Sequence, residues 1–206
     1  MSAARPLPEP VDPGTMDHFV YLHVDWNGYE QLLAMRGEGS VPRITYLEGL
    51  AELMSPSRYH EIDKTCFARL LEAWSEMADV PLEGYGSWTL KAKAKRRGAE
   101  ADECYTVRRV AKSDRDRPDI AIEVIWTSGG IDKLEVYRKL GVREVWFYER
   151  GTLRFFALRR EADDVYREIA RSELLPELPI DLLLTCMKEP DQTSAVRALR
   201  AALVGR

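Results

Sequence analysis

Residues 119–126 read Asp-Ile-Ala-Ile-Glu-Val-Ile-Trp, with apolar side chains at six of the eight positions. Such a short run, rich in β-branched residues, predicts a strand that is buried on both faces in the centre of a sheet. Glu123 interrupts the run, and an ionised carboxylate in that place is costly unless it is paired or bound to a metal ion. A salt bridge to an arginine and a metal site are therefore both open explanations for Glu123.

The patterns on either side of this strand alternate between helical and strand periodicity. Helices are predicted over residues 25–36 with Asp25 as the N-cap, from Ser55-Pro56 onward, over 131–140 before Gly141, and over 193–203. Strands are predicted in a hairpin over 43–54, over 88–95 and 99–107, in a hairpin over 142–158, and at an edge over 165–170. This order predicts an α/β fold in which helices flank a mixed β-sheet.

The second helix carries a stripe of side chains that is expected to face the sheet. Its members are Tyr59, Ile62, Cys66, Leu70, Trp74 and Met77. The five tryptophans of the chain are interpreted as packing residues of the core and its edges, without a role in stacking on nucleobases.

The length of 206 residues suits one sizeable core, so a single domain over residues 16–206 is predicted. Residues 1–15 hold four of the eleven prolines and are predicted to form a flexible arm. They contain no apolar signal-peptide core, and the three widely spaced cysteines do not suggest a disulfide framework. The chain is therefore expected to be cytoplasmic, and no membrane partner is predicted.

Basic residues concentrate in one part of an otherwise acidic chain. The net charge is −4, yet residues 91–117 contain ten Lys or Arg and only five Asp or Glu. Such a region attracts a phosphate backbone, although a solvated charged hairpin is the plainer explanation. The candidate DNA-binding side chains are Lys91, Lys93, Lys95, Arg96 and Arg97.

Asp102 and Lys133 join Glu123 as the residues on which a chemical function depends. Two carboxylates and an ammonium group on neighbouring elements can hold a hard divalent cation and a nucleophilic water. Asp102 has a simpler explanation as one of several solvated acidic residues after a turn. Lys133 shares its helix face with Val136 and Tyr137, so it either extends its ammonium group to solvent or reaches a site at the sheet edge.

These residues occur in motifs that follow one another in a fixed order. The motifs are Tyr46-Leu-Glu-Gly49, Met54-Ser-Pro-Ser57 with His60-Glu61, Gly98-Ala-Glu-Ala-Asp102, Pro118-Asp-Ile-Ala-Ile-Glu123-Val124, and Asp132-Lys133 through Gly141-Val-Arg-Glu-Val-Trp146. They resemble the PD-(D/E)XK nuclease superfamily, and more closely the bacterial Uma-two family of candidate restriction endonucleases, over residues 43–158. The resemblance implies a restriction-endonuclease-like core. It also implies a metal site made by Asp102, Glu123 and the main-chain carbonyl of Val124.

The chain departs from the family pattern at two positions. Ala101 stands where the family usually has a proline, and Ile125 stands where the superfamily has its lysine. Lys133 resembles a relocated substitute for that lysine. By the same resemblance, Glu61 is a candidate for supporting the site from the second helix, and a favourable charge at the helix N-terminus is its alternative role. His60 is not assigned as a metal ligand, because no other His or Cys is near it in the sequence.

The first functional hypothesis is therefore a Mg²⁺-dependent (or Mn²⁺-dependent) DNA endonuclease, since oxygen ligands favour these ions over Zn²⁺. DNA is the expected partner, with a homodimer as a possible assembly. A binding module that keeps the fold without catalysis is the rival hypothesis, favoured by Ile125. A phosphoesterase acting on RNA or nucleotides is the third. Removing either carboxylate is expected to abolish cleavage and to leave the fold intact.

Overall fold

The computed structural model describes residues 16–107, 116–160 and 163–205. Strands in these ranges form two sheets that are flanked by helices. The predicted arm at 1–15 and much of the basic region, residues 108–115, lie outside the described residues. The flexible arm and the single domain over 16–206 therefore stay predictions.

The smaller sheet is built from the first half of the chain, and its elements are numbered here in chain order. From edge to edge its strands are β1 (His18–His23), β3 (Leu50–Ser55), β2 (Arg43–Leu47), β6 (Arg97–Glu100) and β5 (Thr89–Ala92). All neighbouring strands in this sheet are antiparallel.

The larger sheet is mixed. From edge to edge its strands are β11 (Val165–Ile169), β10 (Thr152–Arg159), β9 (Glu144–Glu149), β8 (Ile120–Val124), β7 (Glu103–Val107) and β4 (Leu82–Gly84). The pair β8 and β9 is parallel, and the other neighbouring pairs are antiparallel. The predicted α/β fold with a mixed sheet is confirmed, and the predicted central strand is β8.

Five α-helices pack against these sheets within the described ranges. They are α1 (Trp26–Arg36), α2 (Arg58–Met77), α3 (Lys133–Leu140), α4 (Ile180–Cys186) and α5 (Gln192–Val204). The side chain of Asp25 accepts a hydrogen bond from the N–H of Gly28, which confirms it as the N-cap of α1. Gly141 ends α3 with φ at +78°, a conformation that glycine adopts without strain.

The alternation of side chains along β8 places Glu123 on a defined face of the larger sheet. Ile120 and Ile122 pack in a core cluster with residues of α2, α4 and α5. Ala121 packs in a second cluster with Val136 of α3. Because successive side chains of a strand point to opposite faces, Glu123 shares the face of Ala121 and points toward α3.

Two predicted strands differ from the structure. The strand predicted over 88–95 ends at Ala92, and a 3-10 helix over Lys93–Lys95 follows it. The strand predicted over 99–107 is two strands in different sheets, β6 and β7, separated by Ala101 and Asp102. An alternating pattern predicts an extended chain, but it contains no information about which sheet each half joins.

The predicted buried stripe of α2 is wrong at its two ends. Tyr59 is 37% exposed, Ile62 is 45% exposed and Met77 is 37% exposed. The side chains that α2 buries near its start instead include His60, which is fully buried. The helix begins at Arg58, after the N-cap Ser57, and the predicted stripe is buried only in its middle, at Cys66, Leu70 and Trp74.

Candidate active site

Asp102 lies at the point where the chain leaves the smaller sheet and enters the larger one. β6 ends at Glu100 and β7 begins at Glu103. The N–H of Asp102 donates to the carbonyl of Ile122 on β8 over 3.1 Å, and the Asp102 residue is only 1% exposed. The junction between the two sheets therefore holds a carboxylate beside the central strand.

Three groups surround the Asp102 carboxylate. The N–H of Val124 donates to Oδ2 over 2.6 Å, and Nε2 of His60 lies 3.1 Å from the same oxygen. Nη1 of Arg43 lies 3.0 Å from Oδ1. Burial alone would raise the pKa of Asp102, but the Arg43 guanidinium and His60 outweigh it and hold the pKa below its usual range.

The two cationic partners of Asp102 are themselves held by further carboxylates. Nη2 of Arg43 donates to Oε1 of Glu61 over 2.8 Å, so Glu61 reaches Asp102 only through Arg43. Nδ1 of His60 lies 3.2 Å from Oδ2 of Asp17. Burial lowers the pKa of His60, whereas its contacts with Asp102 and Asp17 raise it, to about 9. His60 was not assigned as a metal ligand from the sequence, and in the structure it is a direct partner of Asp102.

Glu123 and Lys133 meet on the opposite side of the junction, where β8 faces the start of α3. Oε1 of Glu123 accepts a hydrogen bond from the hydroxyl of Tyr137, and Oε2 lies 3.5 Å from Nζ of Lys133. Nζ of Lys133 also donates to Oγ1 of Thr45 over 2.8 Å. Burial raises the pKa of Glu123, and the neighbouring ammonium of Lys133 only partly counters this effect.

Glu52, which sequence analysis did not single out, is a third buried carboxylate in this region. The register of the smaller sheet aligns Thr45 on β2, Glu52 on β3 and Tyr21 on β1 in one row. Glu52 is 1% exposed. One row of the sheet therefore presents both the hydroxyl that holds Lys133 and a further carboxylate.

Glu52 fixes the loop that leads into α3. Its Oε2 accepts hydrogen bonds from the N–H of Gly130 over 2.8 Å and the N–H of Ile131 over 3.2 Å. A Cβ atom at Gly129 would lie 2.6 Å from the same oxygen, so only glycine permits this approach. Because Lys133 begins α3 directly after this loop, Glu52 positions Lys133.

These residues surround a cavity of about 250 Å³ between the two sheets. Its lining includes Glu52, His60, Glu123 and Lys133, together with Val124, which follows Glu123 on β8. Asp102 lies behind this wall and is in contact with His60. The cavity is therefore lined by four acidic residues, Asp17, Glu52, Glu123 and Asp132, and by the ammonium group of Lys133.

Arg97 does not belong to a DNA-binding face. It is 4% exposed, and its Nη2 lies 3.0 Å from a carboxylate oxygen of Glu48 and 2.9 Å from one of Glu135. These pairs connect β6 to α3 and to the turn between β2 and β3. The sequence-based assignment is corrected for this residue, because its guanidinium is buried among protein carboxylates.

The other four candidate DNA-binding residues are exposed but do not follow one strand face. Lys91 pairs with an exposed glutamate on α1, and Nζ of Lys95 donates to the carbonyl of Lys139 at the end of α3. Lys93 and Arg96 are exposed in the turn that joins β5 to β6. The turn after β5 therefore presents Lys93, Lys95 and Arg96, while Lys91 lies on β5 itself.

Comparison with protein families identifies the chain. A family model, Uma2, described as "Putative restriction endonuclease", matches residues 26–187. This range covers most of the sequence and contains Asp102, Glu123 and Lys133. The chain belongs to the Uma2 family. The resemblance to the Uma-two family that the motifs suggested is thereby confirmed.

One solved structure similar to the Uma2 protein is a crystal structure described as "a putative nuclease belonging to DUF820" from Anabaena variabilis. It shares 12% sequence identity with a TM-score of 0.43, and the match covers 81% of this chain and 96% of that one. A comparison with curated proteins gave no match. Among the described helices of the Uma2 protein, none is long and apolar enough to cross a membrane.

Restriction-endonuclease-like families use divalent metal ions. The oxygen atoms near Asp102 and Glu123 are the candidate ligands for such an ion in the Uma2 protein. In the described ranges no three His, Cys, Asp or Glu side chains converge on one ion position. Mg²⁺, however, usually keeps several waters and takes only one or two carboxylates from the protein. Oδ1 of Asp102 is buried and accepts no hydrogen bond, although Arg43 lies beside it. The oxygens of Asp102 and Glu123 and the Val124 carbonyl are of the chemical type that a hard divalent cation prefers, and the two oxygens of Asp102 face Arg43 and His60 in this structure.

Proposed function

We propose that this Uma2 protein is a Mg²⁺- or Mn²⁺-dependent DNA endonuclease that hydrolyses phosphodiester bonds. The observation that carries the proposal is the distance of 3.5 Å between Nζ of Lys133 and Oε2 of Glu123 in the cavity wall. Ile125 occupies the usual lysine position, and Lys133 supplies an ammonium group beside the same carboxylate from another element. This contact supports Lys133 as the counterpart of the lysine that the motif lacks.

The residues that would hold the cation are Asp102, Glu123 and, through its carbonyl, Val124. When bound, such an ion neutralises charge on the phosphate and lowers the pKa of a water. Lys133 stabilises the negative charge that develops on the phosphate oxygens, because its ammonium is fixed before the reaction by Thr45. Glu52 keeps the loop before Lys133 in place and so acts as a positioning residue.

A binding protein without catalysis is the second candidate, and one contact favours it. Arg43 lies 3.0 Å from Oδ1 of Asp102 and therefore competes with a cation for that oxygen. In this candidate Asp102 is a structural partner of Arg43 and His60, and the cavity binds nucleic acid without cutting it.

A plasmid assay separates the two candidates. The purified protein is incubated with supercoiled plasmid in the presence of Mg²⁺, Mn²⁺ or EDTA, and the products are separated on a gel. The endonuclease proposal expects nicked or linear DNA with either ion and none with EDTA. Intact plasmid under every condition, despite retained binding in a mobility-shift assay, would favour the binding protein.

Replacing Lys133 with methionine is expected to lower the turnover of DNA by roughly 10²-fold, as for the loss of one preorganised electrostatic group. The affinity for the metal is expected to change little, because an ammonium group is not a ligand. Single-turnover cleavage rates and isothermal titration with Mn²⁺ measure the two quantities. Lys188→Met, at an exposed lysine after α4, is the control. Equal cleavage rates for Lys133→Met and the control would remove Lys133 from the proposed mechanism.

DNA binding is expected to weaken with salt in a way that depends on the turn after β5. Changing Lys93, Lys95 and Arg96 to glutamine should reduce the slope of log affinity against log salt by about 0.9 for each lost phosphate contact. Fluorescence anisotropy with a labelled duplex at several salt concentrations measures the slope. A control triple removes exposed cations at the other end of the described chain, namely Lys188, Arg197 and Arg200. An identical slope in both triples would show that the turn makes no phosphate contact.

A further inference from the structure

Four aromatic side chains, each a lining residue of the cavity or a near neighbour of one along the chain, are called here the aromatic rim: Phe19, Tyr21, Tyr59 and Trp126. Tyr59 immediately precedes His60, which lines the cavity. Trp126 lies between Ile125 and Thr127, which both line it as well. Phe19 lines the cavity directly, and Tyr21 follows two residues later on the same face of β1. Of these four rings, Phe19 belongs to the lining itself, and the other three adjoin lining residues in the chain or the sheet.

One side of the rim is a stack between Tyr59 of α2 and Trp126, which follows β8. The ring centroids are 5.5 Å apart and the ring planes differ by 20°. The guanidinium carbon of Arg58 lies 5.2 Å from the centroid of the Tyr59 ring. Arg58 is exposed, so a cation and an aromatic stack are presented together at the start of α2.

The other side of the rim is the stacked pair Phe19 and Tyr21, with centroids 6.3 Å apart and an angle of 11° between the rings. The register places Tyr21 opposite Glu52 and Phe19 opposite Met54, and both of these β3 residues line the cavity. The aromatic faces on β1 are thus held by the same sheet that holds Glu52.

Core packing does not account for the exposed rings of the rim. Tyr21 is 43% exposed and Tyr59 is 37% exposed, whereas the buried face of α2 is formed by other residues, such as Phe67 and Trp74. Large exposed aromatic rings that are grouped around a cavity, with a cation among them, have the composition of a stacking platform for nucleic acid bases.

We propose that the aromatic rim stacks on unpaired bases of single-stranded DNA next to the phosphate that enters the cavity. The proposal rests on the endonuclease function above and specifies its substrate class. A base inside a duplex has both faces covered by its neighbours, so it cannot stack on a protein ring without leaving the helix. An unpaired base offers a free face to the rings, while Arg58 attracts the adjacent phosphate.

The test measures binding in EDTA, so that cleavage does not interfere. The probes are a fluorescein-labelled oligodeoxynucleotide, the duplex of the same sequence, and a strand of the same length made of abasic residues. The wild-type protein is expected to bind the single strand more tightly than the duplex or the abasic strand. Tyr59→Leu is expected to weaken binding to the single strand by about 5- to 100-fold, the range for loss of one base stack, and to leave duplex binding unchanged.

Two further variants separate stacking from a structural effect. Tyr59→Phe keeps the ring and is expected to bind the single strand as the wild type does. Tyr85→Leu removes a ring from the Tyr85–Trp88 pair, which has a centroid distance of 4.9 Å and does not line the cavity, and should leave binding unchanged. Circular dichroism melting checks that each variant is folded.

The outcomes distinguish the aromatic rim from the endonuclease proposal. The role of the rim is overturned if the wild-type protein binds the three probes with equal affinity. It is also overturned if Tyr59→Leu loses affinity equally for all three probes, because the charge of the DNA backbone then explains binding. A protein that cuts plasmid but shows no preference for the single strand refutes the rim alone. A protein that prefers the single strand but cuts nothing supports the rim and refutes the endonuclease.

Discussion

Glu123→Gln is expected to abolish DNA cleavage while the thermal unfolding midpoint stays at or above that of the wild type. The carboxylate is 4% exposed, and burial raises its pKa, so its charge is held in the folded protein at a cost. Glutamine keeps the shape and an oxygen for the hydroxyl of Tyr137, but it loses the charge that a cation requires. Plasmid cleavage with Mg²⁺ and differential scanning calorimetry measure the two effects.

Glu103→Gln is the matched control for this experiment. Glu103 is a neighbouring carboxylate on β7, where burial raises its pKa to about 6, but it does not line the cavity. Its replacement is expected to leave cleavage unchanged. If Glu123→Gln cut DNA as fast as this control, Glu123 would have no part in the reaction.

Asp102→Ala is expected to lower the free energy of unfolding by about 3–5 kcal/mol, the usual effect of removing one partner from a buried ion pair. Arg43 is 3% exposed and would keep its charge with Glu61 as its remaining carboxylate partner, and fully buried His60 would lose its contact with Asp102. Urea unfolding, followed by circular dichroism, measures the change. Sequence analysis expected the fold to tolerate this substitution, and the ion pair with Arg43 argues against that expectation.

The double variant Arg43→Met with Asp102→Leu tests the cause of that loss. Replacing both charged partners by apolar side chains removes the buried guanidinium that Asp102→Ala leaves with Glu61 alone, so most of the lost stability should return. DNA cleavage should stay absent in both variants. A double variant as unstable as Asp102→Ala would show that the destabilisation has a source other than the broken ion pair between Arg43 and Asp102.

The central parts of the fold were predictable because local patterns determine them. The apolar run around Glu123 gives β8, and the helical spacing before Gly141 gives α3. The division of residues 99–107 between two sheets was not predictable, since the alternation continues through Asp102 and only distant strands decide the pairing. β1 was also missed, although Phe19, Val20 and Tyr21 are of the residue types that favour strands.

The candidate site was predictable only where its residues have unusual local surroundings. Glu123 stands out in an apolar run, and Lys133 stands out on the packed face of its helix. Glu52 occurs in an alternating hairpin, where a charged residue normally faces solvent, and nothing local indicates that it accepts hydrogen bonds from a loop 78 residues away. His60 was set aside for lack of nearby ligands, yet its partner Asp17 lies 43 residues away in the chain.

The position of Asp102 between the sheets links the proposed activity to the order of folding. Lys133 contacts Thr45 on the smaller sheet and Glu123 on the larger sheet. Asp102 likewise contacts Arg43 on the smaller sheet and the N–H of Val124 on the larger sheet. A folding intermediate with only one sheet formed therefore has no assembled site. Under the proposed function, cutting ability therefore requires that both sheets have formed and docked.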